Sequence, residues 1–208
     1  MSNLILVRHG KSRWNELGLW TGCTDVELHE QGKLDAKKMA KCLIKAHIDL
    51  VFTSKLKRAR DTAKIILEEL NLKNMHIIEN KALNERDYGI HTGKNKWEVK
   101  KEVGEEEFQK IRRDWNHPVQ GGETLKDVHD RVVPYFKNHI LPKLKSGKNV
   151  LIAAHGNSLR ALTKYLCDLS EAAVCNLEFG IGEVHIYDFD SKGKILNYEI
   201  KGKSIGKI

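Results

Sequence analysis

The sequence predicts an α/β fold, a three-layer sandwich in which a largely parallel sheet is flanked by helices. Short apolar runs alternate along the chain with segments of helical periodicity, and two of these runs, Leu4–Val7 and Val150–Ala154, lead into a His-Gly pair. An apolar run that stops at a turn residue is typical of a buried strand in a parallel sheet. Because ligands bind at the carboxyl ends of such strands, we expect His9 and His155 at one edge of the sheet.

The first half of the chain is expected to alternate between strands and helices. Its strands are short apolar runs, and its helices carry apolar residues near a period of 3.6, for example Leu34 and Met39 in the first helix. The predicted elements are a strand at Leu4–Val7, a loop at Arg8–Glu30, helices at Gln31–Lys45 and Lys57–Leu70, strands at Leu50–Thr53 and Met75–Ile78, and a loop at Asn84–Trp97.

The second half is expected to begin with short helices that end at Trp115. A long helix follows, in which Pro134 and Pro142 predict a kink and a terminus. Since no repeat or linker interrupts the chain, we expect a single domain over residues 1–208. The remaining predicted elements are a loop at Asn116–Gly122, helices at Glu123–Leu144, Ser158–Asp168 and Ser170–Asn176, and strands at Val150–Ala154, Val184–Asp188 and Ile195–Tyr198.

The composition is that of an ordinary globular protein, with 208 residues, 40% hydrophobic and 31% charged. Its apolar runs are too short to span a membrane, so no membrane partner is expected. The first residues lead directly into a strand and show no secretory signal. The four cysteines have no C-x-x-C spacing and are expected to be reduced thiols. These features together predict a cytoplasmic protein.

The net charge of +8 suggests anionic partners. Basic residues are spread along the chain and mixed with acidic ones, and neither zinc-finger spacing nor an aromatic RNA-binding stretch is present. Nucleic acid is therefore not an expected partner. Most of the charge is explained by a solvated, lysine-rich surface, while small phosphorylated ligands account for the arginines inside motifs.

His9 is the candidate nucleophile. Neutral imidazole attacks phosphorus readily and also leaves it readily, so a phosphohistidine can form and turn over. One ring nitrogen attacks, while the other donates its N–H to a fixed acceptor that sets the tautomer. A lone histidine is more often structural, but Arg8 before it and Gly10 after it favour a functional site. The sequence does not indicate which nitrogen reacts.

Phosphoryl transfer needs positive charge placed around the three equatorial oxygens. Arg8 and Arg58 are the candidates, because a planar guanidinium binds phosphate through two N–H groups, and His155 is a third donor. Arg58 follows a predicted strand at the start of a predicted helix, where anions are also favoured. Considered alone, Arg58 would more often be a surface charge.

Other polar residues are candidates for proton transfer and for binding the rest of a substrate. Glu85 is the candidate acid or base for the hydroxyl group that attacks or leaves, although a salt bridge with Arg86 would also explain it. The adjacent Arg112 and Arg113 are suited to hold a carboxylate. Further donors are expected from Ser12, Asn15, Thr21, Gly22 and Lys96.

Several motifs, taken in order, resemble one known family. Arg8-His9-Gly10 resembles the histidine phosphatase superfamily. Leu83–Arg86 and Ala153–Arg160 are more specific and resemble the cofactor-dependent phosphoglycerate mutases, over about residues 4 to 190. The same resemblance extends to Trp14-Asn15, Thr21-Gly22, Leu56–Ala59, Tyr88-Gly89 and Arg112-Arg113.

The resemblance implies an isomerase of glycolysis and gluconeogenesis that interconverts 3-phosphoglycerate and 2-phosphoglycerate, its small-molecule partners. It implies that His9 is phosphorylated, with 2,3-bisphosphoglycerate as the priming cofactor and no metal, and that Glu85 donates and accepts the proton. Arg8, Arg58 and His155 would surround the transferred group. The implied substrate-binding residues are Arg8, Ser12, Asn15, Thr21, Gly22, Arg58, Glu85, Arg86, Tyr88, Lys96, Arg112, Arg113, Gly156 and Asn157.

Several features depart from the family pattern. Lys11 replaces the usual Glu or Gln after R-H-G and, with Arg13, makes the first loop more basic. Gly180–Glu183 replaces the usual T-G-x-P segment in the wall of the site. The segment between Arg113 and Gly121 is short, and the choice between monomer and homo-oligomer stays open. The basic tail at Lys201–Ile208 stands where family tails help to cover the site.

Two other functions share part of this pattern. A phosphatase of the same superfamily, acting on a small phosphorylated metabolite, would use the same residues around the phosphoryl group but transfer that group to water. It would not need further residues to bind a second phosphate and a carboxylate, so Arg112, Arg113 and Lys96 favour the mutase. A phospholigand-binding protein without catalysis would lack the nucleophile, the partner histidine or the acid, and all three are present.

Overall fold

A six-stranded sheet forms the centre of the protein in a computed structural model that describes residues 1–202. The strand order is β3-β2-β4-β1-β5-β6. The pairs β3–β2, β2–β4 and β4–β1 are parallel, whereas β5 runs antiparallel to both β1 and β6. The predicted α/β sandwich is therefore confirmed, with a mixed sheet. The strands are β1 at Ser2–Arg8, β2 at Leu50–Thr53, β3 at Ile77–Glu79, β4 at Val150–Ala154, β5 at Val184–Phe189 and β6 at Ile195–Lys201.

Helices cover both faces of the sheet. Across residues 1–202, none is long and apolar enough to cross a membrane. The helices are α1 at Arg13–Glu16, α2 at Glu30–Cys42, α3 at Lys57–Glu69, α4 at Lys96–Arg113, α5 at Leu125–Tyr135, α6 at Leu141–Lys145, α7 at Gly156–Leu166 and α8 at Glu171–Asn176, with 3₁₀ turns at Lys81–Leu83 and Gly89–His91 and a π-helix at Phe136–Ile140.

The apolar strands bury side chains on both faces, which requires the three layers. Leu4 and Leu6 of β1 belong to one core cluster, together with residues of α5 and α7. Ile5 and Val7 alternate with them and belong to a second cluster, with residues of α2 and α3. Successive side chains of a strand point to opposite faces, so a run of four apolar residues supplies both cores.

The helix predicted at Glu123–Leu144 is present as a continuous helical run from Leu125 to Lys145, in which a π-helix takes the place of the terminus expected at Pro142. Thr124 begins α5 with a capping box, in which its side chain accepts the N–H of Asp127. Pro142 lacks an N–H, and its ring would clash with the carbonyl four residues earlier in a regular helix. The chain widens there into the π-helix, and the Leu141 N–H reaches back to the carbonyl of Phe136.

The short helices predicted before Trp115 are present as two helical segments of α4, which meet at Gly104. Gly104 kinks α4, with a φ of 81° that is outside the helical range. Only glycine adopts this conformation without strain, so Gly104 separates the two helical segments that the sequence pattern indicates.

Two glycines bring the loop after β1 against α2. A Cβ added to Gly32 would lie 2.1 Å from the carbonyl oxygen of Lys11, and one added to Gly10 would lie 2.1 Å from the carbonyl oxygen of Gly32. Backbone therefore packs directly on backbone beside His9. A side chain at either position would push this loop away from the helix.

We expect Gly32→Ala to destabilise the protein by about 1–3 kcal/mol, the range for overpacking. In most helices a change from glycine to alanine stabilises the protein by up to about 1 kcal/mol. A loss of stability in Gly32→Ala would therefore support the close backbone contact. The free energy of unfolding from denaturant titration measures it. Lys38→Ala, on the exposed side of α2, is the control and should change stability little. A gain in stability for Gly32→Ala would contradict the packing described here.

Candidate active site

His9 follows β1 directly and is nearly fully buried. Its Nδ1 lies 2.7 Å from the carbonyl oxygen of Gly10. A carbonyl only accepts hydrogen bonds, so Nδ1 carries the proton and Nε2 keeps its lone pair. Burial, with Arg58 and Arg8 nearby, holds the pKa of His9 well below the usual histidine value. The ring is therefore neutral at pH 7, and Nε2 is the nitrogen available for attack.

The backbone after His9 is tied to helix α3. The Gly10 N–H donates to Thr62 Oγ1 at 3.2 Å, and that hydroxyl donates to the carbonyl of Arg58 at 2.7 Å. Since Arg58 lies in the first turn of α3, the nucleophile and this arginine are held by one hydrogen-bond chain.

Arg58 and Arg8 extend side chains beside His9. Arg58 is almost fully buried and donates Nη1 to the carbonyl of Thr24 and Nη2 to that of Gly22, both at 2.8 Å. Arg8 donates Nη1 to the carbonyl of Phe179 at 3.0 Å. Burial lowers the pKa of Arg58 to about 10, which leaves it charged at pH 7. The Nε atoms of both arginines are buried without a partner, so each has a donor to offer to an anion.

His155 directly follows β4 and lies beside His9, with the two ring centroids 5.0 Å apart. Its Nε2 lies 2.7 Å from Ser54 Oγ, and its Nδ1 is buried without a partner. Burial, together with Arg58, also holds the pKa of His155 well below the usual value. Helix α7 begins at the next residue, and its N-terminus adds positive potential at the same place.

Glu85 presents one carboxylate oxygen to the site. Its Oε1 accepts the backbone N–H groups of Arg86 at 2.9 Å and Asn157 at 3.1 Å. Its Oε2 has no hydrogen-bond partner among residues 1–202. The other oxygen therefore orients the carboxylate, and Oε2 is available to exchange a proton with a bound hydroxyl.

The pocket above His9 has a volume of about 90 Å³. Six cations and two carboxylates line it, which makes it strongly positive. No group of His, Cys, Asp or Glu in the described part of the chain is arranged to hold a metal ion. The lining residues are Arg8, His9, Asn15, Trp20, Thr21, Gly22, Arg58, Glu85, Tyr88, Lys96, Arg112, Arg113, Gly156, Asn157, Arg160, Glu178 and Phe179.

A family model for the histidine phosphatase superfamily (branch 1) matches residues 4–199. The chain belongs to this superfamily. It is 46% identical to the 2,3-bisphosphoglycerate-dependent phosphoglycerate mutase of Parvibaculum lavamentivorans over 95% of each chain. It is 42% identical to the phosphoglycerate mutase of Schizosaccharomyces pombe, over 95% of this chain and 94% of the relative.

Solved structures agree with the fold. Bacillus stearothermophilus YhfR superimposes with a TM-score of 0.81 at 24% identity, covering 100% of this chain and 98% of the other. Mycobacterial hydrolase 1 superimposes with a TM-score of 0.82 at 24% identity, covering 98% and 100%. At this level of identity the likeness concerns the fold alone.

Most of the site residues expected from sequence line this pocket. Three do not. Ser12 is fully buried and caps α1 by accepting the Asn15 N–H. Arg86 turns away, donating to the carbonyls of Glu123 and Ile111. His155 is fully buried beside His9, with the two ring centroids 5.0 Å apart. The expected residues that line the pocket are Arg8, His9, Asn15, Thr21, Gly22, Arg58, Glu85, Tyr88, Lys96, Arg112, Arg113, Gly156 and Asn157.

Four pocket residues were not expected from sequence: Trp20, Arg160, Glu178 and Phe179. Trp20 and Arg160 stand beside or inside motifs already singled out, so their positions were a usable signal. Glu178 and Phe179 lie in a segment without such a motif, and only the fold brings them here.

Arg131 was also missed, although it supports the loop that carries Glu85. It donates to the backbone carbonyls of Ala82, Asn84 and Glu85 and forms a two-point ion pair with Glu123. These hydrogen bonds from Arg131 hold the Glu85 loop in place. The sequence pattern alone shows Arg131 only as a polar position of a helix.

The extra basic residues of the first loop are compensated outside the pocket. The Lys11 ammonium forms an ion pair with Glu16, and Arg13 lies 3.8 Å from Glu27. Neither Lys11 nor Arg13 lines the pocket. The expected gain in basicity of this loop therefore does not reach the candidate site.

The segment at Gly180–Glu183, which departs from the family pattern, is held by a hydrogen bond to its own Glu183 carboxylate. The Gly180 N–H donates to Glu183 Oε2 at 2.9 Å, and the same carboxylate oxygen lies 3.2 Å from His185 Nε2. The His185 ring stacks on Phe179 with centroids 3.7 Å apart. This wall is thus held by polar contacts and stacking. The basic tail falls mainly on residues 203–208, which lie outside the described residues.

The buried environment of Lys96 predicts that anion binding depends on pH. Burial of Lys96, with Arg112 and Arg8 nearby, lowers the pKa of its ammonium to about 8. Because deprotonation removes a positive charge, we expect the dissociation constant for a small phosphorylated anion to rise above about pH 8, by at most about tenfold per pH unit for one proton. In Lys96→Arg the charge persists, so the rise should move to higher pH. An unchanged profile in this variant would assign the effect to another group.

Removing the charge of Glu178 is expected to strengthen anion binding rather than weaken it. Glu178 forms an ion pair with Arg113 at 3.0 Å, and both residues also line an outer cavity of about 630 Å³. Glu178→Gln keeps an acceptor for Arg113 but removes a negative charge worth about 1 kcal/mol at this partly exposed position. We expect the dissociation constant for a small phosphorylated anion to fall about fivefold. Glu105→Gln, an exposed change of equal charge on α4, is the control, and weaker binding in Glu178→Gln would show that the charge of Glu178 helps binding.

Proposed function

We propose that this protein is a 2,3-bisphosphoglycerate-dependent phosphoglycerate mutase that interconverts 3-phosphoglycerate and 2-phosphoglycerate. The observation that carries the proposal is the second set of cations in the pocket. Arg8 and Arg58 serve a phosphoryl group at His9, while Lys96, Arg112 and Arg113 offer charge for a further phosphate and a carboxylate. The names of the relatives support this function rather than a phosphatase.

The polar atoms without partners fit a polyanionic ligand. Arg8 Nε, Arg58 Nε, Thr21 Oγ1 and His155 Nδ1 are all buried and unpaired. A buried donor without an acceptor costs stability, and phosphate oxygens supply several acceptors at once. Such donors would hold 2,3-bisphosphoglycerate as well as the substrate. When bound, the bisphosphate supplies the first phosphoryl group.

His9 performs the group transfer in both directions. Its Nε2 lone pair forms the N–P bond while the bond from phosphorus to the ligand oxygen breaks. In the productive direction, phospho-His9 transfers the group to the 2-hydroxyl of 3-phosphoglycerate and Nε2 recovers its lone pair. His9 then takes the other phosphoryl group, which releases 2-phosphoglycerate. The Gly10 carbonyl holds the Nδ1 proton throughout.

Glu85 manages the hydroxyl proton. Its Oε2 accepts the proton when a hydroxyl attacks phosphorus and returns it to the oxygen that leaves. Arg8 and Arg58 stabilise the charge on the equatorial oxygens in the transition state. Because these arginines supply the positive charge, the proposed reaction requires no metal ion.

The direct test is isomerisation of 3-phosphoglycerate by the purified protein, with and without 2,3-bisphosphoglycerate and in the presence of a chelator. We expect activity that rises with the bisphosphate and survives the chelator. His9→Ala should lose turnover by at least about a thousandfold, because no other nucleophile is in place. Release of inorganic phosphate without isomerisation would replace the mutase by a phosphatase, and near-normal isomerisation by His9→Ala would reject the mechanism.

A further inference from the structure

A buried hydroxyl outside the pocket contacts the second histidine. Ser54 directly follows β2 and is fully buried. Its Oγ lies 2.7 Å from His155 Nε2 and accepts the Leu56 N–H at 3.2 Å. Within residues 1–202, Ser54 Oγ has no third partner. The position of one proton between Ser54 and His155 therefore decides what the histidine can do.

Hydrogen-bond counting settles that position. A serine hydroxyl has one proton to donate and two lone pairs, and Leu56 occupies one lone pair. If His155 Nε2 also donated to Ser54, the hydroxyl proton would be buried without a partner. If Ser54 donates to Nε2 instead, every contact of the hydroxyl is satisfied. Only Nδ1 then needs a partner.

The second arrangement gives His155 a defined role. Burial and the nearby arginines hold the pKa of His155 well below the usual value, so its ring carries a single proton. With Nε2 accepting from Ser54, that proton is on Nδ1, which is buried without a partner. The His9 ring centroid is 5.0 Å away. A phosphoryl group on His9 would supply the missing acceptor.

We propose that Ser54 is a positioning residue that fixes His155 in its Nδ1–H tautomer, so that His155 donates a hydrogen bond to the phosphoryl group carried by His9. Ser54 does not touch the substrate and acts only through the histidine. The identity of the acceptor rests on the proposed function, whereas the tautomer is a property of the free protein. The opposite tautomer would present a lone pair to the phosphoryl oxygens and repel them.

The first experiment measures the tautomer without any variant of Ser54. In protein labelled with ¹⁵N in its histidine rings, the ring nitrogens of neutral His155 report which one is protonated. His155→Asn identifies the His155 signals among the ten histidines by their loss. We expect the proton on Nδ1 at pH 7.5. A proton on Nε2 would overturn the proposal whether or not the protein is a mutase.

The second experiment asks whether Ser54 sets that tautomer. Ser54→Ala should lose the pure Nδ1–H state and lower kcat by about ten- to a hundredfold, less than removal of an aligned donor because His155 itself remains, while KM changes less than about threefold. Ser54→Thr keeps the hydroxyl and should restore both the tautomer and kcat. Thr53→Val is the matched control, because Thr53 is equally buried and donates to the Ala153 carbonyl without touching His155.

The outcomes separate the two hypotheses. A wild-type protein without isomerase activity but with His155 in the Nδ1–H state would reject the mutase and leave the inference about Ser54 intact. An Nδ1–H signal that persists in Ser54→Ala, or a loss of kcat equal to that in Thr53→Val, would overturn the positioning role. A purely structural role for Ser54 would lower the yield of folded protein and leave the tautomer unchanged.

Discussion

The parallel pairing of β1 with β4 is the contact on which the rest of the site depends. Arg8 is in register with Ala154, and the His9 N–H donates to the Ala154 carbonyl at 3.0 Å. The two strands therefore end at the same level, and each continues into a histidine. This places the rings of His9 and His155 5.0 Å apart although 146 residues separate them. The loops and helix termini that follow then supply the charges.

Burial strengthens the electrostatic effect of these charges and also makes them unfavourable for folding. Removing guanidinium and imidazole groups from water lowers their pKa values, so both histidines are neutral while Arg58, with a pKa of about 10, stays charged. Several buried donors lack partners in the free protein, which is unfavourable for folding. Arg131, paired with Glu123, holds the Glu85 loop through the carbonyls of that loop. A site organised in this way is already arranged for an anion before one binds.

Local patterns were sufficient for most elements. The strand predicted at Leu50–Thr53 matches β2, and the helix predicted at Lys57–Leu70 ends within one residue of α3. The third strand, Ile77–Glu79, begins two residues later than predicted, because an edge strand that is only partly buried has a weak apolar pattern. Leu34 shares the apolar pattern of its helix with Met39, yet about half of it is exposed while Met39 is buried. Which face of a helix is covered depends on its neighbours.

The sequence by itself determined the residue types and their order: a histidine after each of two strands, arginines at the following turns and an acid on a loop. The tertiary structure decided that Nε2 of His9 is the free nitrogen and that Arg86 points away from the pocket. It also decided that Arg131, 46 residues from Glu85 along the chain, holds the Glu85 carbonyl. Motif spacing records which side chains are present. The hydrogen-bond partners of Arg86 and Arg131 are distant in sequence, and only the packing of the whole chain brings them to 3.0 Å.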